Sequence, residues 1–259
     1  MNRIEKKFEE LRRKGRKALI GYLTAGDPDF AVSKQNIRAA MESGLDILEL
    51  GVPFSDPTAD GPTIQAAAYR ALAAGMSVRR ALDMVSELRM NSDLPIVLFG
   101  YANPLAHYGY ERVCGDAAAA GVDGMLVVDL PFEEADELRS PMSRHGLFQI
   151  PLIAPTTSLE RARMLLKGAQ GFVYYIMVTG VTGARQTLVA GLAQRVGDLK
   201  KITPLPVAVG FGVSTGEQAR EASEAADGVV VGSALVQAAR DGRLAELVRE
   251  LRTALDAGR

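Results

Sequence analysis

The chain has 259 residues, 47% hydrophobic and 24% charged, with a formal net charge of −1. That is ordinary globular composition, and the charge balance gives no general attraction to nucleic acid or to a membrane surface. Cys114 is the only cysteine, so no intrachain disulfide can form and a reducing, cytoplasmic setting is expected. No apolar run reaches membrane-spanning length, and the N-terminus lacks the apolar core of a secretory signal.

The opening stretch "MNRIEKKFEELRRKGRK" holds eight basic and three acidic residues. Ile4, Phe8 and Leu11 recur at helical spacing, which predicts a short amphipathic helix covering one end of the fold with its charges in solvent. A basic arm for nucleic acid is the alternative, disfavoured because the charges are not interleaved with stacking aromatics.

Eight short apolar segments follow, at 18–23, 46–51, 95–101, 124–129, 147–153, 171–177, 205–212 and 228–233. They are rich in Val, Ile, Leu, Phe or Tyr and are bounded by Gly, Pro or Asp. Between them lie helical patterns such as "FAVSKQNIRAAMESG" and "SVRRALDMVSELRM". Strict alternation implies a parallel sheet, and eight units in about 250 residues is the size of a (β/α)8 TIM barrel. "SGLDILELG", "AGVDGMLVVD" and "EAADGVVVG" share one grammar, in which a helix ends, a small-residue turn follows, and Asp opens a strand. An open doubly wound sheet is the rival, weakened because no G-x-G-x-x-G follows the first strand. With no linker or low-complexity stretch, residues 1–259 are expected to form one α/β domain, a TIM barrel with an extra N-terminal helix.

In such a barrel the chemistry sits where strands end and βα loops begin. The second segment, "DILELG", runs into "VPFSDPTADGPTIQAA", and no Lys or Arg occurs from Ala39 to Tyr69. Alternation puts Leu48 and Leu50 on one face and Ile47, Glu49 and Gly51 on the other. Glu49 therefore points into the barrel near its mouth, where burial raises a carboxyl pKa. A structural Glu bonded to backbone is the alternative reading. Asp60 sits in the Pro/Gly loop, where Asp also serves as a turn former or helix cap. Asp129 ends another strand and is a rival third acid. The glycines of "GFGVSTGEQ" and "VGSALVQ" end the seventh and eighth segments and open helices, so their amides form a candidate phosphate site; ordinary turn glycines are the alternative. None of the eight lysines falls at a strand's C-terminal end, which argues against a Schiff-base aldolase. His107 and His145 are too few and too far apart for a His-based metal site, so no metal is expected. Carboxylates with phosphate-binding amides point to acid–base chemistry on a small phosphate ester.

"ELGVPFSDPTADGPTIQAA", "YLTAGDP", "GYANP", "TGVTGA", "GFGVS" and "VGSA" occur in order, and together they resemble the tryptophan synthase alpha subunit family over nearly the whole chain. The resemblance implies a TIM barrel that cleaves indole-3-glycerol phosphate to indole and glyceraldehyde 3-phosphate. It implies Glu49 and Asp60 as the catalytic pair and Tyr174 as an active-site tyrosine. It also implies Thr182 and Gly183 in a closing loop, Phe211, Gly212, Gly232 and Ser233 at the phosphate, and Tyr22 against the indole. It further implies a beta subunit in an alpha2-beta2 complex, met by the segments that carry Pro53, Asp56, Asn103, Pro104 and Pro131. Pyridoxal phosphate is expected in that partner and no cofactor in this chain. A stand-alone lyase and a non-catalytic activator of a partner are the alternatives. Met177, Phe99, Ala102 and Phe132 depart from residues usual in the family and bear on the pocket's shape and the partner surface.

Overall fold

The computed structural model describes residues 1–177, 185–210 and 212–257; of 185–190 only the helical backbone is described. Nine parallel strands form one sheet. They are β1 (Ala18–Thr24), β2 (Ile47–Gly51), β3 (Ile96–Gly100), β4 (Gly124–Val127), β5 (Phe148–Gln149), β6 (Leu152–Ile153), β7 (Val173–Ile176), β8 (Val207–Gly210) and β9 (Gly228–Val231). Their spatial order is β5-β4-β3-β2-β1-β9-β8-β7-β6. The two ends of that order are neighbours in the chain, so the sheet curls round into a TIM-like barrel whose edges meet at Ile150 and Pro151. The Ile150 N–H donates to Met125 of β4, whereas the Pro151 carbonyl accepts from Tyr174 of β7. The segment expected as one strand over 147–153 is therefore two. Proline has no N–H to continue the ladder with β4, and the chain changes partner there.

Strand alternation sorts the side chains into two layers. Ile20, Ile47, Val97, Leu126, Phe148, Phe172, Ala208 and Val230 fill the barrel interior. Leu19, Leu48, Leu50, Ile96, Leu98 and Met125 face the surrounding helices. Each fully buried Leu or Ile contributes roughly 1.5–3 kcal/mol. Helix α1 (Arg3–Arg13) begins with a capping box between Asn2 and Glu5. It lays Ile4, Phe8 and Leu11 onto the interior cluster, with the Phe8 ring 5.6 Å from that of Phe172. It closes the floor of the barrel, at the strands' N-terminal ends.

The aspartates that open three strands repeat one device at that floor. Asp46, Asp123 and Asp227 each donate their own N–H to a carbonyl of the preceding strand in the sheet, on Leu19, Ile96 and Val207. Each carboxylate accepts the N–H of that same residue at 2.9 Å. A cation completes every bracket: Arg252 at 2.7 Å from Asp46, Arg89 at 3.1 Å from Asp123, and Lys200 at 2.9 Å from Asp227. The other described helices are α2 (Phe30–Glu42), α3 (Pro62–Ala73), α4 (Val78–Arg89), α5 (Ala102–Tyr108), α6 (Tyr110–Ala120), α7 (Asp136–Arg144), α8 (Leu159–Leu165), α9 (Arg185–Lys200), α10 (Gly216–Ser223), α11 (Ser233–Arg240) and α12 (Leu244–Asp256). No described helix is long and apolar enough to cross a membrane.

Candidate active site

Glu49 is the third of the five residues of β2, two short of where the chain leaves the sheet for loop 2 (52–61). It stands in register between Tyr22 on β1 and Val97 on β3. Its solvent exposure is 0%, and among the described residues neither carboxyl oxygen has a hydrogen-bond partner. Burial alone pushes its pKa from 4.5 up to about 8, because an unpaired carboxylate in a dry interior has lost its hydration. Glu49 is therefore a neutral acid at neutral pH. The alternative of a Glu bonded to backbone does not describe this side chain.

Two tyrosines share the Glu49 environment. Tyr22 is buried and sets its ring edge-on to Phe99, with centroids 5.1 Å apart. Its hydroxyl accepts a long bond of 3.4 Å from Thr24 Oγ1. Tyr174, on β7, belongs to the interior cluster; burial first, then the charges of Glu49 and Asp60, drive its pKa far up. Both phenols are thus neutral donors. Ile64 and Phe99 pack beside Tyr22 and make an apolar wall. Phe99 is one of the departures expected to bear on the pocket's shape, whereas Ile64 is not singled out by the sequence, although it follows Asp60 by four residues.

Asp60 is half-buried on loop 2. Its Oδ2 accepts a bond of 2.9 Å from the hydroxyl of Tyr101, a residue that sequence reasoning did not single out. Burial raises the Asp60 pKa, and the Tyr101 bond works against that rise. Asp60 does not cap the next helix: α3 starts with Gly61 at its N-cap and no side-chain cap bond. The rival acid Asp129 is exposed and accepts the Ala102 N–H at 2.7 Å, tying down the start of α5.

The two glycine clusters differ. Gly232 is the N-cap of α11, Ser233 is its first residue, and no side chain caps it. A Cβ on Gly232 would lie 3.7 Å from Tyr22 and from Ile64, so this helix end opens on the same pocket. Gly212, at φ 63°, does not open a helix. Helix α10 starts later, at Gly216, where Thr215 caps it and Glu250 takes the Gly216 N–H at 3.0 Å. The expectation of free helix-terminal amides therefore applies to α11 and not to α10. Thr182, Gly183 and Phe211 lie outside the described residues.

Among the expected partner contacts, Asp56, Asn103 and Pro131 are exposed, Pro104 is half-buried and Pro53 is buried. Of the departures, Phe99 touches Tyr22, while Met177 packs on the outer cluster with β7 and α9. Ala102 opens α5. Phe132 lies under the Arg139 guanidinium, 4.2 Å from its ring centroid. Two cavities lie away from this mouth, of about 830 Å³ between α7 and α8 and about 700 Å³ beside α1. Neither is lined by Glu49 or Asp60. Among the described residues no group of three His, Cys, Asp or Glu side chains could hold a metal ion.

A parallel barrel with a dry, buried carboxyl and a second carboxyl at its C-terminal mouth has the architecture of a TIM-barrel enzyme. Residues 8–256 match the model of the family described as tryptophan synthase alpha chain. The alpha chain of Geobacter sulfurreducens is 51% identical over 257 residues, covering 99% of this chain and 97% of that one. The alpha chain of Legionella pneumophila superposes with a TM-score of 0.90 at 39% identity, covering 99% and 98% of the two chains. A chain from the crystal structure of Mycobacterium tuberculosis tryptophan synthase superposes with a TM-score of 0.90 at 38% identity, covering 98% of each. The chain belongs to the tryptophan synthase alpha chain family.

Proposed function

We propose that Glu49 and Asp60 carry out the retro-aldol cleavage of indole-3-glycerol phosphate to indole and glyceraldehyde 3-phosphate. The observation that carries this reading is the buried Glu49 carboxyl, unpartnered and protonated up to about pH 8. Cleaving a carbon–carbon bond needs an electron sink, and the substrate's own indole ring serves. Glu49 delivers its proton to indole C3, which leaves the positive charge of an iminium on the ring nitrogen. Asp60, as carboxylate, accepts the ring N–H and stabilises that charge. Glu49, now a carboxylate, takes the proton of the glycerol hydroxyl next to the scissile bond. That oxygen becomes the aldehyde, the bond to C3 breaks, and its electron pair restores the neutral indole. Each positioned group contributes roughly 10²–10⁴-fold.

Tyr22, Ile64 and Phe99 offer the apolar wall against which the ring packs, and Tyr174 closes the interior beneath it. The phosphate belongs at the amides of Gly232 and Ser233, with Gly212, Phe211, Thr182 and Gly183 completing the closed site. Residues 1–259 act as one domain, in the cytoplasm. The indole passes to a beta subunit, in an alpha2-beta2 complex, for tryptophan synthesis. Asp56, Asn103 and Pro131 supply exposed contacts on the face where the mouth opens. Pyridoxal phosphate belongs to that partner; no lysine of this chain ends a strand to hold it.

Indole release from indole-3-glycerol phosphate, measured while the chain is titrated with beta subunit, tests the reading. Turnover is expected with the chain alone and to rise as loop 2 is ordered by the partner. Full activity unchanged by the partner would make the chain a stand-alone lyase; no activity under any condition would leave it an activator module.

A further inference from the structure

Tyr101 lies 3% exposed at the N-cap of α5, directly after β3, and loop 2 folds around it. The Phe54 ring packs on its ring at 5.3 Å between centroids. The Ala59 N–H donates to its hydroxyl oxygen at 3.0 Å, and that hydroxyl donates to Asp60 Oδ2 at 2.9 Å. The order of donation is unambiguous. The amide can only give a proton, so it fills a lone pair of the phenol oxygen and the phenol's single proton turns to the carboxylate. A loop rich in Pro and Gly is thereby held at its start and at its end by one rigid side chain rooted in the barrel. Among the described residues Asp60 Oδ1 accepts no side-chain or backbone hydrogen bond, while Oδ2 is taken by Tyr101.

We propose that Tyr101 is a positioning residue for the reaction, fixing the direction and the ionised form of the Asp60 carboxylate before substrate arrives. The inference rests on the reading of Asp60 as the group that receives the indole N–H. A hydrogen bond to the charged form favours it, and the bond opposes the upward push of burial on Asp60. The other titratable groups facing Asp60 among the described residues are Tyr22 and Tyr174, both neutral phenols, and Glu49 across the mouth, neutral below about pH 8. Among the described residues, Tyr101 is the group that favours the Asp60 charge.

The test compares wild type, Tyr101→Phe and Asp60→Asn, each as the full chain with beta subunit present, by the pH dependence of indole release. Tyr101→Phe keeps the ring against Phe54 and removes only the donor. Its kcat is expected to fall by about 10²-fold with KM changed by less than about threefold, as for a misplaced catalytic group. The acid limb of its kcat profile is expected to move to higher pH. Incorporating 3,5-difluorotyrosine at position 101, a stronger donor of nearly the same shape, is expected to move that limb to lower pH, and it decides the matter if the Phe variant does not fold. A kcat within about twofold of wild type and an unmoved acid limb, with Asp60→Asn inactive, overturns the role of Tyr101 alone. Wild-type turnover in Asp60→Asn overturns the reading of Asp60 and the role of Tyr101 together.

Discussion

Tyr22 and Gly51 compete for one volume: a Cβ on residue 51 would lie 2.1 Å from the Tyr22 hydroxyl oxygen and 2.5 Å from the ring carbon that bears it. The pair sits on adjacent strands, and Tyr174 repeats the relation over Gly210, at 2.6 Å. Each tyrosine thus lies across a glycine at the end of a neighbouring strand, and those glycines are required by close approach rather than by backbone angle. Gly51→Ala forces the Tyr22 ring to turn away from Phe99. Overpacking of this kind costs about 1–3 kcal/mol, and the variant is expected to fold with a lowered Tm. Its kcat/KM for indole release is expected to drop by at least about tenfold, since the ring wall is lost. Steady-state kinetics beside thermal melts check this; unchanged kinetics would show that the Tyr22 position is immaterial to turnover.

Glu49→Gln preserves shape and removes the transferable proton. Turnover is expected to fall by about 10²–10⁴-fold or more while KM stays close to wild type. Single-turnover indole release by the purified variant is the measurement. Residual activity near that of wild type would remove Glu49 from the acid–base role.

The same residue links stability to pH. Its pKa in the folded chain, about 8, stands above the 4.5 of an exposed Glu, so the folded state holds a proton that the unfolded state has released. The stability this lends is complete below pH 4.5 and is lost as pH rises through 8. Wild type is therefore expected to lose roughly 3–5 kcal/mol relative to Glu49→Gln between pH 4 and pH 9. Denaturant unfolding of both proteins at the two pH values reads the difference directly. Turnover of wild type should fall above pH 8 for the same reason, as the acid loses its proton. Parallel stability curves would show that Glu49 is not buried as a neutral group.

Ser233 is the first residue of α11, the helix position that proline favours, and Ser233→Pro removes its N–H and its hydroxyl together while asking Gly232, at ψ −89°, to adjust. If phosphate is held there by backbone amides, Ser233→Pro should raise KM roughly 10–100-fold, the worth of one hydrogen bond to a charged group. Ser233→Ala, which keeps the amide, should change KM far less. Equal effects of the two substitutions would assign the phosphate contact to the hydroxyl instead.

Much of this molecule is written locally in its sequence. The inward face of Glu49 follows from the period of two in "DILELG", because Leu48 and Leu50 have helices to cover them. The aspartates of the three repeated strand openings are equally plain, since each bracket uses the residue before its own strand. Other features depend on residues far apart. Asp60 and Tyr101 are 41 positions apart, and in sequence Asp60 reads as well as a cap for α3. The loop after β8 reads like the one after β9, yet Thr215 and Glu250 occupy the α10 terminus. The break of the fifth strand hinges on Pro151 choosing between two partners that only the closed sheet provides.

The bracket at Asp46 has a consequence for how the chain assembles as it leaves the ribosome. Its backbone bond reaches back 27 residues to Leu19, so the first two strands can pair early, as the brackets at Asp123 and Asp227 also pair with the strand just made. The counter-charge is different: Arg252 comes 206 residues after Asp46, from the last helix. Until α12 is synthesised, the carboxylate at the first strand junction lacks its ion-pair partner Arg252, with only the more distant Lys7 and Arg16 nearby, and it stays hydrated. Once α12 docks, that junction dries, so the first strand junction is sealed by a residue 206 positions further along the chain.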